Sequence, residues 1–302
     1  MTAFLFPGQG SQKPGMCREL HDVSPAARNA FAEMARLHGG GDGFLSLLFH
    51  GEEAALNDTR NAQPGLLAAG WAVFRHLGSL ALRPSLCAGH SLGEITALAA
   101  AGALDPADAM RLVRERARLM CGDVPEGGMA AVLGLDAERI AEALPAGVQV
   151  ANYNGPAQTI ISGTRAGLDA AAETLKNAGA KRVLPLKVSG PFHSEWMRPA
   201  AEKLARFLEG VPLETPRCRF VSSVSGREES APDTLRRLLA EQLCGPVRWT
   251  EVMRVTGAVN AVEAGPGTVL AGLAKRMEGG PTVWPAETPE QCAAAARELS
   301  KP

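Results

Sequence analysis

Among the six cysteines, at positions 17, 87, 121, 218, 244 and 292, no C-x-x-C pair occurs. Their scatter argues against a structural zinc site and a disulfide scaffold, so no metal is expected and a reducing, cytosolic setting is. Long apolar runs are missing too. The longest small-apolar stretch, residues 97–104, is broken by Gly102 and falls far short of a membrane span. The opening Met1-Thr2-Ala3-Phe4-Leu5-Phe6 has no basic flank and too short an apolar stretch for a secretory signal. Neither sign of charge prevails: 31 Lys and Arg against 32 Asp and Glu leave a net charge of −1, which directs no global field at nucleic acid or lipid. Of 302 residues, 46% are apolar and 21% charged. That is enough for one large core, or for a main domain carrying a smaller one.

The pattern along the chain is α/β. Residues 3–6 read as a short buried strand that Pro7-Gly8-Gln9-Gly10 ends in a loop. Helical patterns follow near 25–37 and 64–76. A second buried strand, 85–88, runs into Gly89-His90-Ser91-Leu92-Gly93 and a small-residue helix at 92–101, stopped by Gly102. In the middle, strands at 129–135, 148–152, 159–162 and 182–188 alternate with helices at 137–144 and 168–178. That order, βαββαβ, is the split βαβ of ferredoxin-like modules. It predicts a small subdomain at 126–187 inserted into a larger α/β unit made of 1–125 and 188–302; one continuous sheet is the alternative. Beyond it, a strand at 219–224, helices at 233–243 and 249–255, and a strand at 261–263 are expected. Gly265-Pro266-Gly267 then turns into a helix reaching Met277.

Gly89-His90-Ser91-Leu92-Gly93 matches the nucleophile-elbow pattern G-x-S-x-G. A bare match is weak and also fits a structural Gly-Ser turn, but here an apolar run precedes it and a helix follows it. A sharp strand-to-helix turn crowds any Cβ beside the serine, which gives both glycines a steric task. Ser91 would then sit at a helix N-terminus, where free backbone N–H groups can stabilise a developing oxyanion. A serine hydroxyl needs a base. His21, His38, His50 and His76 fall in or beside helical segments without a loop signature. His90 sits inside the elbow, which suits an orienting role better than that of base. His193 lies where a strand breaks into the loop Ser189-Gly190-Pro191-Phe192-His193-Ser194, the kind of strand end that carries catalytic side chains.

The helix at 105–120 has Asp105 as N-cap and Pro106 in its first turn. At 100° per residue, Ala109, Leu112, Val113, Leu119 and Met120 share one face, and Arg111, Arg114 and Arg118 lie opposite. Arg116 falls in the middle of the apolar face. A guanidinium there must meet an anion or several acceptors. Two readings stay open: an internal ion pair with an Asp or Glu, or a bidentate clamp for a substrate carboxylate, a geometry that Lys would not supply.

Taken together, these segments resemble the malonyl-CoA:acyl carrier protein transacylases and the related acyltransferase domains of polyketide synthases. The resemblance runs from Phe6-Pro7-Gly8-Gln9-Gly10-Ser11-Gln12 to about Met277. It takes in Gln63-Pro64, Gly89-His90-Ser91-Leu92-Gly93-Glu94, Arg116, Asn152-Tyr153-Asn154, Pro191-Phe192-His193-Ser194, Pro246-Val247-Arg248-Trp249 and Gly265-Pro266-Gly267. Ile95-Thr96 departs from the aromatic residue often found after this elbow. The resemblance implies an α/β-hydrolase-like core with an inserted ferredoxin-like subdomain. It implies Ser91 as nucleophile, His193 as general base, and Gln9 with the backbone N–H of Leu92 as oxyanion hole. Arg116 would bind the malonyl carboxylate, with His90 and Phe192 on the substrate side; Phe192 resembles the bulky residue of malonyl-selective members. A backbone carbonyl from the loop around Pro246–Arg248 would orient the histidine. The implied reaction is ping-pong transfer of malonyl from malonyl-CoA to the phosphopantetheine thiol of an acyl carrier protein, by a monomer. The coenzyme A thioester is a substrate, and no cofactor is implied. The acceptor carrier is expected to be acidic, with Lys181, Arg182, Lys187, Lys275 and Arg276 as candidates to meet it.

Overall fold

The computed structural model describes residues 2–122, 124–257 and 260–300. Nine strands occur among them: β1 (Ala3–Phe6), β2 (Leu86–Gly89), β3 (Gly127–Leu133), β4 (Val148–Gly155), β5 (Gln158–Thr164), β6 (Arg182–Pro185), β7 (Arg219–Val221), β8 (Asn260–Glu263) and β9 (Thr282–Pro285). They form two sheets, not one continuous sheet. Five strands pair in parallel in the order β7-β2-β1-β8-β9, and four pair antiparallel in the order β4-β5-β3-β6.

A parallel sheet needs cover on both faces, which is why its strands read as unbroken apolar runs. Along β1 the side chains alternate. Phe4 and Phe6 pack with the helices Pro25–His38 and Thr59–Ser79. Ala3 and Leu5, with Leu86, Ala88 and Ala261, pack against the helices Trp249–Thr256 and Val269–Ala274. Covering both faces leaves the C-terminal edge as the place where loops from several strands converge, the usual location of a site in such sheets. The Gln9 loop, Ser91 and Ser222-Ser223 all follow directly from β1, β2 and β7 at that edge.

The antiparallel sheet carries its helices on one face and meets the main core with the other. Ala130, Val132, Val148 and Ile161 pack with Ile140, Ala171 and Leu175 of the helices Ala137–Ala143 and Arg165–Asn177. Met129, Ala131, Ala151 and Ile160 belong to the main core instead. The stretch before Trp249 stitches the two sheets together: Val247 donates its N–H to the Ala151 carbonyl (2.8 Å) and accepts from the Tyr153 N–H (2.8 Å).

The helix expected from residue 64 begins at Thr59, with the Asp58 side chain accepting from the Arg60 N–H at 2.8 Å. Pro64 therefore lies inside the helix. It deletes one N–H bond, and the buried neighbours Ala62, Gln63, Leu66 and Leu67 hold the helix across the gap. The expected elements leave out the helices Arg18–Val23, Gly41–His50, Glu53–Asn57 and Arg198–Leu208 and, after residue 277, β9 and a helix at Pro289–Leu299. β9 has four residues and ends in proline, which only an edge strand tolerates. The final helix opens with a reciprocal Thr288/Gln291 capping box, a signal present in the sequence.

Candidate active site

The turn from β2 into the helix Gly93–Ala100 is as tight as the two glycines imply. A Cβ at residue 89 would lie 2.0 Å from the Gly93 carbonyl, and one at residue 93 would lie 2.0 Å from the Phe6 oxygen. Ser91 between them has φ +51°, in the left-handed region that an L-residue enters only at a cost. His193 is held at φ +58° and donates its backbone N–H to the Leu243 carbonyl at 3.0 Å. Both residues predicted to react are thus in strained backbone, and both are buried.

Ser91 Oγ lies 2.8 Å from His193 Nε2, and His193 Nδ1 lies 2.8 Å from the Gln242 carbonyl oxygen. That oxygen can only accept, so Nδ1 carries the proton and Nε2 offers its lone pair to the serine hydroxyl. The orienting carbonyl is therefore that of Gln242, at the end of the helix Pro232–Glu241, and not one in the stretch Pro246–Arg248. The reason is local. Val247 is committed to the small sheet, whereas the last carbonyls of a helix lack intrahelical partners.

Arg116 is 1% exposed, in the apolar face of its helix Pro106–Met120, while Arg111, Arg114 and Arg118 are exposed. Its Nη1 donates to Gln63 Oε1 at 2.6 Å, and its Nη2 to Gln242 Oε1 at 2.9 Å and Ser91 Oγ at 3.1 Å. The Nε is buried without a partner. Among the described residues no carboxylate pairs with it, so the internal ion pair is not formed. Desolvation lowers its pKa to about 10, and it remains a cation at neutral pH. A buried guanidinium facing two amides and the serine, with two of its five N–H groups unspent and the Nε–H among them, is suited to receive an anion.

Gln9, His90, Ser91, Arg116, Phe192 and His193 all line one cavity of about 420 Å³. Met129, Ala131 and Ile160 of the antiparallel sheet close it from the other side. The Gln9 side chain is engaged elsewhere, its Nε2 donating to Thr59 Oγ1 at 3.2 Å. Its backbone N–H and that of Leu92 have no acceptor among the described residues, which leaves two donors beside the serine. His90 turns away from the serine, its Nε2 2.9 Å from Asn154 Oδ1, and burial holds its pKa below the ordinary histidine value. Phe192 is buried within the cavity wall. Among the described residues no His/Cys/Asp/Glu group is arranged to hold a metal, and no helix is long and apolar enough to cross a membrane.

Three further residues, Gln242, Glu94 and Gln63, complete the site. Gln242 caps its helix in line with the apolar face, at +7, +4 and +3 from Leu235, Leu238 and Leu239, so the periodicity that exposed Arg116 also marks it. Glu94 lies in a helix buried on almost every side, where an acid stands out. Gln63 sits one residue before the internal proline, and nothing in its spacing signals a partner 53 residues away.

Residues 3–272 match the acyl transferase domain family. The chain is 43% identical over 286 residues to the malonyl CoA-acyl carrier protein transacylase of Bacillus subtilis, covering 91% of this chain and 90% of that one. Against the Escherichia coli K12 protein of the same name it is 41% identical over 288 residues, with 91% and 92% covered. Its fold matches the acyl-carrier-protein S-malonyltransferase of Burkholderia pseudomallei with a TM-score of 0.93 at 42% identity, over 98% of this chain and all of the other. A malonyl-transacylase solved in complex with its type II PKS acyl-carrier protein gives a TM-score of 0.93 at 38% identity, over 98% and 99%.

Proposed function

The chain belongs to the acyl transferase domain family, with malonyl CoA-acyl carrier protein transacylases among its relatives, and on that premise we propose that it moves a malonyl group from malonyl-CoA to the phosphopantetheine thiol of an acyl carrier protein. One observation carries the reading: the hydroxyl of Ser91 is held by the base His193 on one side and by the buried, anion-free cation Arg116 on the other. The architecture supports reading the fold as an α/β-hydrolase-like core of residues 1–125 and 188–302 with a ferredoxin-like insert at 126–187.

The reaction runs in two halves. His193 Nε2 takes the hydroxyl proton as Ser91 Oγ attacks the thioester carbonyl, and the N–H groups of Gln9 and Leu92 hold the oxyanion. Collapse expels the coenzyme A thiolate, which takes the proton back from His193, and leaves a malonyl ester on Ser91. The carrier thiol then attacks that ester by the reverse steps. Thiolates leave easily, so a carbonyl at Nδ1 suffices where amide hydrolysis uses a carboxylate. Arg116 holds the malonyl carboxylate, its free Nε–H joined by the Nη2 proton that turns from Ser91 Oγ to the substrate. The five candidate docking cations are all exposed, with Lys187 at the cavity itself.

Incubation with malonyl-, methylmalonyl- and acetyl-CoA followed by intact-mass measurement tests the reading. One malonyl ester, mapped to Ser91 and discharged by holo carrier protein, is the expected result. Rapid release of free acid with no transfer would identify a hydrolase instead.

The pH dependence follows from burial. Desolvation first, and the neighbouring charge of Arg116 second, lower the His193 pKa to about 3 against the hydrogen bond to Gln242. The imidazole is then a free base throughout the neutral range, and kcat/KM for the malonyl-CoA half-reaction should stay level as pH falls through the ordinary histidine value. An acid limb centred on that value would contradict it. The linkage has a definite sign. Between about 3 and 6.5 the unfolded chain binds the proton that folded His193 refuses, so this residue makes stability fall as pH falls across that window. Folding must be monitored alongside the rate.

A further inference from the structure

Glu94 is 1% exposed in the first turn of the helix that follows the elbow, and it touches none of the reacting atoms. Four donors converge on its carboxyl group: Ser222 Oγ at 2.6 Å, Ser223 Oγ, the Ser223 N–H at 3.3 Å and Gln242 Nε2 at 2.7 Å. Ser222 Oγ also accepts from the Val224 N–H, which leaves its own proton for the carboxylate. Burial pushes the Glu94 carboxyl above the usual carboxylate range, and these hydrogen bonds, three on Oε2 and one on Oε1, act against that and favour the anion.

Its partner Gln242 is 1% exposed and fully used. The Nε2 donates to Glu94 and to the Ser91 carbonyl (3.1 Å), the Oε1 accepts from Arg116, and the backbone carbonyl takes the Nδ1 proton of His193. An amide has one donating and one accepting end. Reversed, it would set NH2 against the guanidinium and C=O against the carboxylate, two repulsive contacts in a low-dielectric interior. The buried cation thus has its counter-charge one amide away.

We propose that Glu94 is a positioning residue: as an anion it fixes the polarity of the Gln242 side chain, and through that single residue sets the guanidinium of Arg116 and the imidazole of His193 around Ser91. The kinetic consequence rests on the proposed malonyl transfer; the structural consequence does not. In Glu94→Gln the amide of Gln242 loses its anchor, so kcat for malonyl transfer falls about 10- to 100-fold. The KM for malonyl-CoA stays level or drops, because the clamp loses a competing negative charge. A merely structural acid would lower the folded fraction and leave this kcat-against-KM split unseen.

The test compares wild type, Glu94→Gln and Glu94→Asp by thermal melting, by steady-state malonyl transfer, and by the imidazole N–H resonance of His193 in 15N-labelled protein. The split in Glu94→Gln, partial rescue by Glu94→Asp and a displaced His193 signal support the proposal. Wild-type kcat with an unmoved signal in folded Glu94→Gln overturns it. If that variant does not fold, Gln242→Met carries the test, since it removes the amide and keeps the backbone carbonyl. The same kcat loss and moved signal are then expected, and an unaffected enzyme overturns the proposal. A wild type that takes up no malonyl group while Glu94→Gln still displaces the His193 signal would sink the malonyl reading and leave this inference standing.

Discussion

Replacing Ser91 with alanine is expected to abolish the malonyl adduct and to lower transfer to the carrier by roughly 10⁴-fold or more, the scale on which removal of a catalytic nucleophile acts. The other hydroxyl lining the cavity, Ser11, has no base on it: His193 Nε2 points at Ser91, and its Nδ1 is spent on Gln242. His193→Ala should cost nearly as much, and Ser91→Ala/His193→Ala no more than Ser91→Ala alone, because the two act as one unit. Intact mass and carrier malonylation read both effects. A malonyl group retained by Ser91→Ala would place the nucleophile elsewhere and end the proposal. Stability must be checked alongside, because alanine keeps the left-handed backbone and deprives His193 Nε2 and Arg116 Nη2 of a buried partner.

The second large effect is one of selectivity. Arg116→Ala should lower kcat/KM for malonyl-CoA by about 3–4 kcal/mol, roughly 10²- to 10³-fold, the cost of stripping a buried charge of its partner. An acetyl group has no carboxylate to strand, so acetyl transfer should fall far less, or gain. Arg116→Lys should recover little. One ammonium cannot keep the contacts to Gln63 and Gln242 and also grip a carboxylate in two places. The ratio of malonyl to acetyl rates is the quantity to measure. Equal losses for both would make Arg116 a packing residue only. Truncation also strands the Gln63 and Gln242 oxygens, worth about 1–3 kcal/mol of stability each, so rates must be compared at equal folded fraction.

Much of this site is written in single residues. Gly89 and Gly93 announce a turn that no Cβ permits, and Arg116 announces itself as a charge on an apolar helical face. Those signals are local: each depends on sterics or periodicity within a few residues. The orienting carbonyl is another matter. Pro246–Arg248 stood nearby in sequence, yet it spends itself on the small sheet, and the free carbonyl came from Gln242 at a helix end. The start of the Thr59–Ser79 helix was displaced for a similar reason, since burial on both sides of Pro64 outweighed the proline's own preference for a first turn.

By itself the sequence determined an α/β chain, a βαββαβ segment in its middle, an elbow serine, a loop histidine and a buried arginine, because periodicity and backbone sterics act over short range. Only the tertiary structure decided that these three groups share one hydroxyl, that Gln242 serves base and clamp at once, and that the counter-charge of Arg116 is Glu94 at one remove. Those facts depend on contacts between residues 25 to 151 positions apart, fixed by how the two sheets and their helices bury their apolar faces. No property of a short stretch of chain encodes them.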